Sequence, residues 1–240
     1  MANIKTTQGN IAKPSLERSG YMRIVQIIVS FLIMSVVLFL TAGRLDWWGA
    51  WVYLAIYFFT VLWNGIWMLR HNPDVINERG RITGSAKSWD KVLMILYTVL
   101  LFVLMATAGL DARFRWSTVP LVLAILGGVG FILNLVLVFW AMAVNTFLST
   151  VVRIQEDRGH QVVTAGPYQY VRHPMYAGNL LGFIAIPLLL GSWWALIPGV
   201  MIIVVFVVRT VLEDRTLQAE LPGYDEYAQK VRCRLIPGVW

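Results

Sequence analysis

The run MYAGNLLGFIAIPLLLGSWWALIPGVMIIVVFVV, residues 175–208, contains no Asp, Glu, Lys or Arg. It is too long for one crossing of a bilayer, because a transmembrane helix needs only about 20 apolar residues. Pro187 and then Gly191-Ser192 interrupt it near its middle, and Trp193-Trp194 follow at once. Glycine and serine favour turns, and tryptophan collects at membrane–water interfaces. The run therefore predicts a helical hairpin with two arms, turning at Gly191-Ser192, with both tryptophans near the far interface.

Four more uncharged runs precede it: Ile24–Ala42, Trp47–Leu69, Val92–Leu110 and Val119–Val144. Each is close to or above the length of one span. The chain as a whole is 58% hydrophobic and 14% charged, against about 25% charged in soluble domains. The reading is an all-α polytopic membrane protein, with four spans and a C-terminal hairpin giving about six crossings. The first run has full membrane length and is taken as a retained helix rather than a cleaved signal.

Orientation follows from basic residues in the flanks. Of the 20 Lys and Arg, all except Arg44, Arg113 and Arg115 fall on one side of this arrangement. The positive-inside rule makes that side cytoplasmic. The net charge of +7 suits loops beside anionic lipid. The basic residues are dispersed and no soluble domain carries a groove, so no nucleic-acid partner is expected. The single cysteine, Cys233, excludes an internal disulfide and a thiolate metal cluster; no metal site is expected. Gly127, Gly128 and Gly130 lie inside the fourth span with no preceding strand, which points to close helix packing rather than a phosphate loop.

Residues 1–20 read as a mobile polar tail and residues 21–144 as spans 1–4. A cytoplasmic loop rich in turn formers lies near 70–91, RHNPDVINERGRITGSAKSWDK. The remainder, 145–240, holds the polar and aromatic residues that could carry chemistry. They fall in HQVVTAGPYQYVRHPMYAG, 160–178, and VVRTVLEDRTL, 207–217. Arg209 and Glu213 stand at i and i+4 on one helix face and can pair; such a pair can also be a plain interfacial anchor. His173, beside Arg172, either meets headgroups or faces a pocket. Pro174 holds His173 extended and then suits a first helical turn, whose free N–H groups favour an anion or carboxylate. Tyr168, Tyr170 and Tyr176 are either an aromatic belt or a wall for a planar base or a cation. Gly178 lets a ligand or another helix approach closely.

GPY-x-x-VRHP-x-Y-x-G, an uncharged hairpin, R-x-x-x-E and a tail PGYDEY…RLIPGVW occur here in that order. This arrangement, over about Asn145–Trp240, resembles the isoprenylcysteine carboxyl methyltransferase family, whose relatives methylate phospholipid amines or small thiols. The resemblance implies a methyltransferase core over 145–240 that binds S-adenosylmethionine and releases S-adenosylhomocysteine. It places the cofactor against His160, Gln161, Val162 and Val163, then Tyr168, then His173, Pro174, Met175 and Tyr176, and finally Glu213. Arg209 takes the place of the family arginine that contacts a carboxyl acceptor. The family's upstream glutamine falls on Arg153 when counted without gaps, with Gln155 two residues later. The family's longer carboxylate run is reduced here to Glu213-Asp214.

The implied partner is a lipophilic or amphiphilic small-molecule acceptor, together with membrane lipid. The implied location is a bacterial inner membrane with the pocket facing the cytoplasm. A sulfonium donor and a lipid-soluble acceptor come from different solvents, which accounts for a polar segment at the mouth of the hairpin. Two other readings stand beside this one. Sterol-type reductases share a similar R-H-P-x-Y-x-G hairpin and bind NADPH, although they add an R-x-x-R-D-E cluster and a K-Y-G motif that are not found here. The third reading is a non-catalytic membrane scaffold with a relic pocket.

Overall fold

The computed structural model describes residues 15–81 and 86–240 and, among them, contains helices and no strand. The elements are α1 (Arg18–Ala42), α2 (Trp48–His71), α3 (Pro73–Gly80), α4 (Ser88–Phe114), α5 (Leu121–Val144), α6 (Pro174–Leu190), α7 (Leu196–Glu220) and α8 (Tyr224–Lys230). Helices α1, α2, α4, α5 and α7 are long and apolar enough to cross a membrane, while α6 is a shorter apolar helix of 17 residues. The four-span-plus-hairpin architecture is the observed one. Gly191 ends α6 in the left-handed region at φ 78°, a conformation glycine adopts without steric cost. The chain then reverses through Ser192, Trp193 and Trp194 into α7, with both tryptophans exposed.

Two expectations about the ends of these elements need correction. Helix α1 begins at Arg18, six residues before the apolar run, so the described end of the 1–20 segment is helical. The rest of that tail, 1–14, lies outside the described residues. The 70–91 segment contains helix α3, which starts at Pro73, where proline suits a first turn. Asn77 fixes α3 to α1 by accepting from the Glu17 amide at 2.9 Å and donating to the Ser15 carbonyl at 3.0 Å. Turn-forming residues hid a helix whose stability comes from this docking rather than from propensity.

Helices α5 and α6 share the most extensive interface. Small residues let them approach, as expected from the glycines of the fourth span. A Cβ on Gly127 would stand 2.6 Å from the Leu189 amide nitrogen and 2.7 Å from the Ala185 carbonyl. Gly178 and Gly182 face back from α6 onto Asn134 and Leu137 of α5. Helix α7 packs on α6 and on α4, and α4 packs on α1. The hairpin is thus held on both sides, and its polar ends are fixed relative to α4 and α5.

This packing predicts that Gly127→Val costs about 1–3 kcal/mol, the range for overfilling a close contact. Gly65, whose added Cβ would meet nothing within 4 Å, is the matched control. Thermal unfolding in detergent should show a clear drop for Gly127→Val and little change for Gly65→Val.

Candidate active site

The site is organised around Asp214, in the last turns of α7 and fully buried. Its Oδ1 accepts from Arg172 Nε at 2.8 Å and from the Tyr224 hydroxyl at 2.9 Å. Its Oδ2 accepts from Arg172 Nη2 at 2.9 Å and from Arg234 Nε at 2.9 Å. The His173 ring approaches Oδ1 through Nε2 at 3.4 Å. Arg172 is buried, not interfacial. Its remaining nitrogen, Nη1, donates to the carbonyls of Ala228, Val231 and Arg232, satisfying groups that a helix end leaves unpaired. The main-chain amides of Arg172 and His173 bond the carbonyls of Cys233 and Arg234 at 3.0 and 2.9 Å. The RHP segment is therefore clamped between α7, α8 and the C-terminal tail.

Arg209 and Glu213 do not form the i,i+4 pair that their spacing allows. Arg209 turns to α4, where Nε and Nη2 meet the Asp90 carboxylate at 2.8 and 3.3 Å. Nη2 also donates to the Thr150 carbonyl at 3.1 Å. Buried charges pair where desolvation is compensated by two aligned bonds, and Asp90, itself fully buried, offers that geometry. Nη1 of Arg209 makes no hydrogen bond among the described residues. Glu213 instead accepts from the Tyr176 hydroxyl at 2.5 Å through Oε2, and its Oε1 makes no hydrogen bond among the described residues. The Tyr176 ring stacks with His173 at 5.7 Å and has the Arg209 guanidinium 5.3 Å from its centroid.

The loop between α5 and α6 forms the opposite wall. Gln155 is buried; its side chain donates to the Phe147 carbonyl and accepts from Arg158 at 2.6 Å. It braces the loop from within. Arg153 lies on the wall, pairing with Glu78 at 2.9 Å and Asp157 at 2.9 Å. His160 sits 4.7 Å from the Phe147 ring, and its Nδ1 faces the Gln155 amide at 3.4 Å. An amide only donates, so Nδ1 accepts and the proton resides on Nε2. Burial, followed by the positive charges of Arg153 and Arg158, lowers the His160 pKa to about 4.

These walls enclose a cleft of about 790 Å³, counting its open mouth. His160, Gln161, Val162, Val163, Tyr168, His173, Pro174, Met175, Tyr176, Arg209 and Glu213 all line it. Tyr170 does not; its side chain is exposed, so the three tyrosines do not make one wall. Tyr224 and Tyr227, which sequence reading passed over, line the cleft in its place. Their i,i+3 spacing in YDEY was the available signal. Asp90 was also missed; a carboxylate in the first turn of an apolar helix was its signal. Burial raises the pKa of Tyr168, Tyr224 and Tyr227, so all three stay neutral donors. The Tyr227 hydroxyl bonds the Tyr168 carbonyl at 2.7 Å. The Tyr168 hydroxyl is buried and makes no hydrogen bond within 3.5 Å among the described residues, with the Asn145 side chain close enough to act on it.

Buried polar groups are normally satisfied, so the free Tyr168 hydroxyl marks a place for a ligand atom. The amides of Met175 and Tyr176 stand before the first helical bond of α6, Ala177 to His173 at 3.0 Å, and suit an anionic group. The free oxygen of Glu213 suits a cation. One cleft thus offers anion, cation and hydrogen-bond recognition, the set required by a zwitterionic nucleoside derivative. Residues 122–221 match the family model of phospholipid methyltransferases. That family of membrane methyltransferases includes the isoprenylcysteine carboxyl methyltransferases. The match runs from α5 through the cleft loop and the hairpin to the end of α7. A comparison with curated proteins finds no match.

Two outcomes follow from this geometry. Asp214→Asn leaves two arginines without their shared counter-charge and should cost about 3–5 kcal/mol, as for a broken buried ion pair. Asp225→Asn, at an exposed position of α8, should change little in the same thermal unfolding experiment. His160 gives a pH signature. Unfolded, it takes up a proton near pH 6.5; folded, it resists until about pH 4. The unfolded state binds more protons in that window, so stability falls as pH drops from 6.5 to 4. His160→Gln should flatten this part of the unfolding profile, and an unchanged slope would contradict the assignment.

Proposed function

We propose that this protein is an S-adenosylmethionine-dependent methyltransferase whose acceptor is a lipophilic or amphiphilic molecule, such as the carboxylate of an isoprenylcysteine-like compound. The observation that carries the reading is convergence. Residues separated in the chain between His160 and Glu213 share one cleft, within the region matching a membrane methyltransferase family.

When bound, the cofactor supplies an electrophilic methyl group on a sulfonium sulfur. The protein's task is to hold donor and acceptor in line, since positioning supplies much of the rate in such a displacement. Tyr168 offers its free hydroxyl, Glu213 its free oxygen to an ammonium, and the start of α6 its amides to a carboxylate. Arg209 is set by Asp90 and Thr150 with Nη1 left over, which suits an anionic acceptor. A carboxylate acceptor needs no strong base, consistent with a cleft whose histidines are tied to Asp214 and to the Gln155 amide. The distribution of Lys and Arg supports a cytoplasmic cleft. The family match favours methyl transfer over the hydride transfer of an NADPH reductase.

Purified protein in detergent should bind S-adenosylmethionine or S-adenosylhomocysteine and not NADPH in calorimetry. Glu213→Gln should weaken that binding by about 1–3 kcal/mol, the range for a charged hydrogen-bond partner. Arg209→Ala should keep donor affinity and lose transfer to an S-prenylcysteine carboxylate at saturating donor. NADPH binding with no response to either methionine derivative would overturn the proposal.

A further inference from the structure

Helix α3 lies outside residues 122–221, the stretch that matches the methyltransferase family. It nevertheless reaches the cleft through one charged pair. Glu78 is buried, and its Oε1 accepts from Nε and Nη2 of Arg153 at 3.1 and 2.9 Å. The two side chains are 1% and 7% exposed, so salt screens their attraction little. The remaining nitrogen, Nη1 of Arg153, donates to Asp157 at 2.9 Å. All three guanidinium nitrogens are thus committed, which gives Arg153 a fixed place on the cleft wall.

The loop that carries Arg153 is braced mainly against itself. Gln155 bonds Phe147 and Arg158, Arg158 bonds Thr146, and the His160 amide bonds the Gln155 carbonyl. A loop built this way keeps its own shape and shifts as one piece. Its first part is anchored elsewhere: the Val152 amide donates to Asp90 at 2.8 Å, and the Thr150 carbonyl accepts from Arg209. From Arg153 through Val163, the hydrogen bonds to other elements among the described residues all end on Glu78. Arg81, 3.8 Å from Asp157, adds only an exposed ion pair, and such pairs hold weakly. Ile154, Val162 and Val163 pack on the Tyr168, Tyr224 and Tyr227 cluster. That contact is non-directional; it keeps the loop down without fixing its register. His160 to Val163, the wall assigned to the donor, lie wholly within this second part.

We infer that Glu78 is a positioning residue for the methyl donor: through Arg153 it sets the 153–163 wall against Tyr168 and Glu213. Glu78 does not line the cleft, so it touches neither donor nor acceptor. The inference rests on the methyl-transfer reading and deepens it, because it places control of the donor side on an element outside the family match. The acceptor side is separate, since Arg209 is held by Asp90 and Thr150.

The test is a double-mutant cycle on the full chain in detergent. Affinity for S-adenosylhomocysteine is measured by calorimetry, and melting temperature is recorded on the same samples. Glu78→Gln should weaken binding about tenfold, the factor for one charged hydrogen bond. It should also lower the melting temperature, because Arg153 then keeps a buried charge with only Asp157 to meet it. Combining Glu78→Gln with Arg153→Met removes both charges, and the melting temperature should recover towards the wild type. Donor affinity should not recover; it should stay within about twofold of the Glu78→Gln value, the non-additivity of residues that act as one. A pair that serves stability alone would show the reverse, with affinity returning as the melting temperature does. In turnover, the donor KM of Glu78→Gln should rise while kcat at saturating donor holds.

Unchanged affinity in Glu78→Gln would overturn the inference. So would losses that add in the double variant, or affinity restored together with stability. If Glu78→Gln does not fold, the double variant decides alone: weak binding at a wild-type melting temperature supports the inference, and wild-type affinity overturns it. A wild type that binds no donor would defeat the methyl-transfer reading and this inference together, whereas a wild type that binds donor no better than Glu78→Gln does would defeat this inference only.

Discussion

The bidentate pair between Arg172 and Asp214 is the contact on which the active end of this molecule depends. It joins the loop before α6 to the end of α7, two segments 42 residues apart. Without it, each arm of the hairpin would end in a polar segment with no defined partner. The pair also recruits Tyr224 and Arg234, so α8 and the tail are folded onto the same carboxylate. A buried ion pair of this kind adds little net stability over a well-packed apolar contact, but losing one member leaves an exposed cost on the other. Its value here is positional: it sets His173 and Pro174, and with them the start of α6, at a fixed height against Glu213.

Arg209 and Asp90 repeat the logic on the other flank. Helix α4 packs along α7 and meets it through this buried pair near its start, with Lys87 and Glu220 pairing further out at 2.6 Å. The guanidinium is held by two nitrogens and a loop carbonyl, so its third nitrogen has a fixed direction. A lysine at 209 would supply a charge but not that orientation, because an ammonium lacks the planar fork. The two ion pairs together tie the starts of α4 and α6 to the end of α7 as one rim around the cleft.

Much of this could be read from the chain itself, and the exceptions have physical reasons. The hairpin was legible because an uncharged run of that length has few alternatives in a bilayer. The cleft residues from His160 to Glu213 were legible because their motif is local and ordered. Asp90 was not, since its meaning lies in a contact with Arg209, far away in sequence. Periodicity cannot reveal such pairs. Asp214 shows a subtler failure. It looked like the remnant of a carboxylate run beside the functional Glu213, yet it is the better-connected of the two. Adjacent residues on a helix point about 100° apart, so Glu213 faces the cleft and Asp214 holds the frame.

The shortness of α6 has a consequence for where the reaction chamber lies. At about 1.5 Å per residue, its 17 residues span roughly 25 Å, less than the ~30 Å hydrocarbon layer. If the Trp193-Trp194 turn lies at one interface, a helix of this length ends short of the other. With that placement the cleft at its start would open below the headgroup plane of that leaflet. A molecule with a long alkyl tail can present its head there without leaving the membrane. Lifting such a tail into water costs about 0.8 kcal/mol for every methylene, so a tail of a dozen carbons would bring a barrier of roughly 10 kcal/mol to any enzyme that worked above the surface. In that placement the short helix would lower the aqueous phase to the lipid instead of raising the lipid to the aqueous phase.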